Sequence, residues 1–151
     1  MAHFVETPGN VAQDEITAKQ SKKAARAWVS LPARLARIFY AGLATAFVAS
    51  VLVQVFFAGM GAFGADWSWH HTFVHFLEPL PLLMAPAAFV GRLSWALRLL
   101  PLGLTFLIGV QYALASTSVP AAALHPVNAL LIFLTSLVVA RQAWATVRTK
   151  G

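Results

Sequence analysis

The chain has 151 residues, 59% of them hydrophobic and only 11% charged, with a mean hydropathy of +0.70. That is too little charge to cover the surface of a soluble domain of this length, so a soluble fold is excluded. The eleven Lys and Arg against five Asp and Glu give a net charge of +6, but their positions, given below, exclude nucleic-acid binding: no basic surface is interleaved with aromatics that could stack bases.

Residues 1–33 are polar and mixed, with a basic cluster from Lys19 to Arg26. Because the first apolar run begins only near Leu35, this segment reads as a retained cytoplasmic tail rather than a signal peptide. Ala18 to Trp28 is a candidate short basic helix on the membrane surface, anchored by Trp28. A four-helix transmembrane domain follows over residues 34–145. Its spans are expected at about 35–63, 70–91, 97–116 and 124–141, each long enough for a hydrocarbon core about 30 Å thick. Residues 146–151 form a short C-terminal tail. The fold class is therefore all-α, an integral membrane four-helix bundle.

Every basic residue flanks an apolar run and none interrupts one: Lys19, Lys22, Lys23, Arg26, Arg34, Arg37, Arg92, Arg98, Arg141, Arg148 and Lys150. With the N-terminus inside, all eleven fall on the cytoplasmic side and none on the other. The positive-inside rule then places both termini in the cytoplasm.

The two halves of the domain repeat each other. Val53-Gln54, then Ala58-Gly59, near the end of the first span matches Val110-Gln111, then Ala115-Ser116, near the end of the third. Each block leads through a short outer loop into a span that opens with histidine. A two-helix unit duplicated in tandem would give this pattern.

Four of the five histidines gather at the outer end: His70, His71 and His75 on the second span and His125 on the fourth. Neutral imidazoles from two helices at one depth are the axial ligands a haem b needs, and the lack of cysteine excludes covalent haem attachment. His125 is one candidate ligand. Distance from the inner boundary favours His75 as its partner; distance from the repeated glutamine favours His71. Gln54 and Gln111 are candidate hydrogen-bond donors to haem propionates or to a quinone, and Ala58, Gly59, Gly61, Ala113, Ala115 and Ser116 would allow a close approach. Against this stands a bland reading, in which the histidines sit at a membrane interface and His125 precedes Pro126 at a helix start. Glu78 is the one carboxylate inside a span and needs a partner there, most simply His75 one turn earlier. The series His71, His75, Glu78 is thus also a candidate cation site or proton path, next to carbonyls freed by Pro79, Pro81 and Pro86. No nucleophile, Walker or dinucleotide motif is present, which points away from an enzyme.

The blocks from Val53 to Gly64, with His71, Gly91-Arg92, Gln111 and Leu124-His125-Pro126-Val127-Asn128, resemble an uncharacterised family of small four-span bacterial membrane proteins. This likeness covers about Ile38 to Ala143 and implies a bacterial inner-membrane location. The order glutamine, small residues, histidine, given twice, is also similar to one half of a haem A synthase, although a Thr72 follows His71 where that family has arginine. This second resemblance implies haem ligands at His71 and His125. The expected function is a b-type cytochrome-like electron-transfer subunit within a larger membrane complex; the alternative is a non-catalytic accessory subunit of such a complex.

Overall fold

The computed structural model describes residues 8–148. The side chains of residues 8–12, 14 and 22–30 lie outside that description, and the anchoring role expected of Trp28 lies outside it with them. Six helices follow in order: α1 (Pro8–Ala62), α2 (Ser68–Leu77), α3 (Pro79–Val90), α4 (Trp95–Ala115), α5 (Val119–Ala122) and α6 (Leu124–Arg148). No strand occurs among the described residues.

Four segments are long and apolar enough to cross a membrane: Leu31–Ala62, Ser68–Val90, Trp95–Ala115 and Val119–Arg148. Their outward faces carry large apolar side chains such as Phe39, Phe56, Phe106 and Leu130. In water such a surface would be costly, whereas against acyl chains it is the natural exterior. The chain is a multi-pass membrane protein in contact with the bilayer. The expected boundary near residue 33 is not a structural break, because α1 runs unbroken from Pro8 through the first span.

Neighbouring helices pack in the ring α1–α3–α4–α6, which leaves α1 diagonal to α4 and α2–α3 diagonal to α6. Arg34, Arg37, Arg92, Arg98, Arg141 and Arg148 all lie at one end of this ring, the basic end. The half next to it is solid. Tyr40, Phe47, Met84, Leu97, Leu104 and Val139 are fully buried there, and small residues (Ala41, Ala44, Ala88, Ala143) let the backbones approach. Polar ties close that end: the Tyr40 hydroxyl donates to the Leu97 carbonyl at 2.8 Å and Arg37 Nε to the Gly91 carbonyl at 2.8 Å. Gly91 admits this contact because a Cβ there would stand 3.0 Å from the Ala87 carbonyl and 3.3 Å from Arg37.

The prolines shape the second span. Pro79 has no N–H to give, so the hydrogen-bond ladder lapses at Glu78 and divides α2 from α3. Glu78 itself keeps helical dihedrals (φ −54°, ψ −44°), so the span continues in direction. At the other end of the bundle, Gly64 (φ +97°) turns the chain out of α1. The Trp67 ring then lies so close over Gly61 that a Cβ would come within 2.5 Å of it.

Candidate functional site

The half of the bundle away from the basic end is hollow. A cavity of about 510 Å³ lies between all four spans. Val51 and Val55 of α1, Val74 and Leu77 of α2, Ile108 of α4, and Ile132 and Phe133 of α6 form apolar walls, and Gln54, His70, His71, Gln111, Tyr112 and His125 are its polar members.

Two matched clamps hold the histidines. The Gln54 carboxamide donates to the His70 carbonyl at 2.9 Å, and His70 Nδ1 lies 3.2 Å from the Gln54 carbonyl. The Gln111 carboxamide donates to the His125 carbonyl at 3.0 Å, and His125 Nδ1 lies 3.2 Å from the Gln111 carbonyl. A carbonyl oxygen only accepts, so each Nδ1 carries the proton. An imidazole with its one proton on Nδ1 has a lone pair on Nε2. This is how a metal-binding imidazole is usually oriented: a backbone oxygen fixes the tautomer from behind. His70 and His125 come from diagonal helices, yet their ring centres are 6.5 Å apart, with planes inclined by 53°.

The two clamps differ in one respect. Gln111 Oε1 accepts from Asn128 Nδ2 at 2.5 Å, and Asn128 also donates to the Leu107 carbonyl at 2.9 Å. Gln54 Oε1 is buried with no partner, because Phe73 stands where Asn128 would fall, three residues beyond the clamped histidine.

The sequence-derived candidates divide accordingly. His125, Gln54 and Gln111 meet at the cavity, and one carboxamide hydrogen of each glutamine is committed to a histidine carbonyl. His71 lines the cavity beside His70, with ring centres 5.8 Å apart. His75 is turned outward, its side chain 69% exposed, and pairs with Glu78 at 3.3 Å. Neither His71 nor His75 faces His125 as His70 does. Ala58 and Ala115 line the cavity; Gly59, Gly61, Ala113 and Ser116 do not.

Sequence reasoning did not single out His70, Asn128 or Tyr112. His70 was recoverable as the first histidine of its span, the position that His125 holds in the other half. Tyr112 donates a short hydrogen bond to Glu78 Oε1, a tertiary contact without a sequence signal. Among the described residues no three His, Cys, Asp or Glu side chains gather as ligands for a bare metal ion. Outside the membrane segments, the Ser68 hydroxyl and backbone N–H donate to Asp66 at 2.5 and 3.0 Å and hold its carboxyl below the usual carboxylate range.

Residues 54–118 match the model of a family of unknown function, DUF6220. The match agrees with the likeness to an uncharacterised family drawn from the sequence. The DUF6220 segment holds Gln54, His70, Glu78, Gln111 and Tyr112, and it stops short of His125. No curated protein and no solved structure matches the chain.

Proposed function

We propose that this protein is a small b-type cytochrome of the bacterial inner membrane, in which His70 and His125 would hold one haem. The observation that carries the reading is the pair of clamped imidazoles with free Nε2 atoms across an apolar cavity. Two metal–imidazole bonds of about 2 Å, with the half-widths of two rings, come to roughly 6.5 Å between ring centres. The observed separation is 6.5 Å. A cavity of about 510 Å³ lies within the range of cofactor sites, about 300–1,000 Å³, and its walls suit a flat apolar group. A bare cation would need further ligands, and none is gathered there.

When bound, the haem supplies a one-electron ferric/ferrous couple. The protein's own part is to fix the imidazoles, exclude water and surround the site with hydrocarbon. Gln54 and Gln111 do the fixing, since each ties a histidine's ring and its backbone to the preceding span. In this reading electrons pass between a quinol and a larger redox complex.

Titration of the purified protein with haem b tests the proposal. Saturation at one haem per chain is expected, together with loss of binding in His125→Ala. Binding at non-integral stoichiometry that His125→Ala leaves unchanged would overturn it.

The second reading, an accessory subunit, draws on one observation. α1 continues beyond the span from Ser30 back to Pro8, about 35 Å at 1.5 Å per residue, as a helix with Lys19 exposed. Such an arm suits docking on a larger assembly and is compatible with the cytochrome reading.

A further inference from the structure

Glu78 is unusual in three ways that the cavity chemistry leaves unused. Ten residues of helix after Ser68 place it about 15 Å deep, half of a hydrocarbon core about 30 Å thick. It stands where the hydrogen-bond ladder of the second span lapses, the kind of broken helix on which membrane proteins build ion and proton sites. Both of its oxygens are engaged by ionisable groups: Tyr112 donates to Oε1, and His75 Nδ1 lies 3.3 Å from Oε2. A carboxylate at such a depth is costly without a role that needs it.

The surroundings narrow that role. α1 carries no ionisable side chain between Tyr40 and Asp66, and α4 carries none between Arg98 and Tyr112. His75 and Tyr112 are therefore the groups that face the carboxyl. They lead in different directions. His75 is 69% exposed on the outside of the bundle, whereas Tyr112 lines the cavity that holds His70 and His125. The solid half of the bundle begins below, at Met84, so the chain of groups ends at the cavity wall and does not cross the membrane.

We propose that Glu78 is a proton-accepting site, loaded through His75 from the outer face, that balances negative charge gained in the neighbouring cavity. The His75 side chain, one turn nearer the outer face than Glu78 and exposed on the bundle surface, reaches up toward the interface, where a proton from water binds its Nε2. The Nδ1 proton of the same ring passes to Oε2 of the Glu78 carboxylate. His75 is left neutral, with its proton on the other nitrogen, and Glu78 becomes a neutral acid. One proton has moved from water to the carboxyl, and no bond to carbon changes. Tyr112 stays bonded to Oε1 throughout and ties the carboxyl to the cavity wall, so the charge on one side is felt on the other. Identifying the gained charge as an electron rests on the cytochrome reading; the proton site itself does not.

Infrared spectroscopy of the full chain in lipid nanodiscs tests the site whether or not a pigment is bound. A carbonyl band of a protonated carboxyl is expected to grow as pH falls and to be missing in Glu78→Gln. In Tyr112→Phe the band moves to higher wavenumber, because its carbonyl loses a donor. A band that Glu78→Gln leaves intact, or no such band at any pH the protein tolerates, overturns the proton site. A band untouched by Tyr112→Phe overturns the link to the cavity. Where haem is bound, its redox equilibrium changes by up to tenfold per pH unit, about 59 mV, and Glu78→Gln removes that dependence. A preparation with the carboxyl band and no haem spectrum leaves the proton site standing and removes the cytochrome reading alone.

Discussion

The two halves of this bundle are built from the same four helices and solve opposite problems. Next to the basic end, Tyr40, Phe47, Met84, Leu104 and Val139 fill the axis and leave no room. At the histidine end the axis is open, and glutamine clamps rather than packing set the positions of the side chains. Inside a membrane, lipid tails are as apolar as leucine, so helices associate through close packing and interhelical hydrogen bonds. One half of this protein relies on the first and the other half on the second. The division shows where stability is concentrated and where space has been kept for something else.

Substitutions that reverse the two characters separate them most strongly. Leu104→Ala hollows the solid half and should cost about 2 kcal/mol in reversible unfolding from detergent micelles, mostly through the void it leaves. Ala129→Leu fills the hollow half and should change that stability by less than about 1 kcal/mol, since the added carbons enter existing space. The same Ala129→Leu should abolish haem binding, while a folded Leu104→Ala protein keeps it. A large stability loss on filling the cavity would show that it is not a preformed space.

The difference between the clamps gives a smaller effect. Gln111→Leu leaves the His125 carbonyl and one amide hydrogen of Asn128 without their partner, while the His125 ring keeps its bond to the main-chain carbonyl, and should cost about 1–3 kcal/mol. Gln54→Leu leaves the His70 carbonyl without its donor but also removes the buried, unpartnered Oε1, so it should cost about 1 kcal/mol less than Gln111→Leu. Equal costs would mean that Asn128 contributes nothing to the second clamp.

The smallest effect lies outside the membrane, at Asp66. Its carboxyl is held below the usual range by the Ser68 hydroxyl and N–H, so the ordering of the start of α2 is fully present above the unfolded-state value. It is lost as pH falls through the lower folded-state value. The Ser68 amide resonance should titrate with that carboxyl in acid, and in Asp66→Asn it should not.

Much of this architecture was legible in the residues, and the reason is physical. Four apolar runs bounded by arginines leave a chain few choices in a membrane, so an all-helical fold with four helices long enough to cross it could be read from the residues. The repeat was legible through Gln54 and Gln111 because a polar side chain at one depth is rare in apolar sequence. The choice among His70, His71 and His75 was not. Gln54 to His70 is 16 residues and Gln111 to His125 is 14, since the first loop turns at Gly64 while the second holds the extra helix α5. Spacing along the chain therefore misjudged a match that hydrogen bonds make plain. Tyr112 and Asn128 were illegible for a related reason: their partners lie on other helices, at separations set by packing alone.

On the reading proposed above, the hollow half is a haem site closed by His70 and His125. The most direct test is the reduced-minus-oxidised absorption spectrum of the purified protein alongside His70→Ala and His75→Ala. Bands of b type are expected in the parent protein and in His75→Ala, and none in His70→Ala. A parent protein without bands, or bands that survive His70→Ala and vanish in His75→Ala, would contradict it.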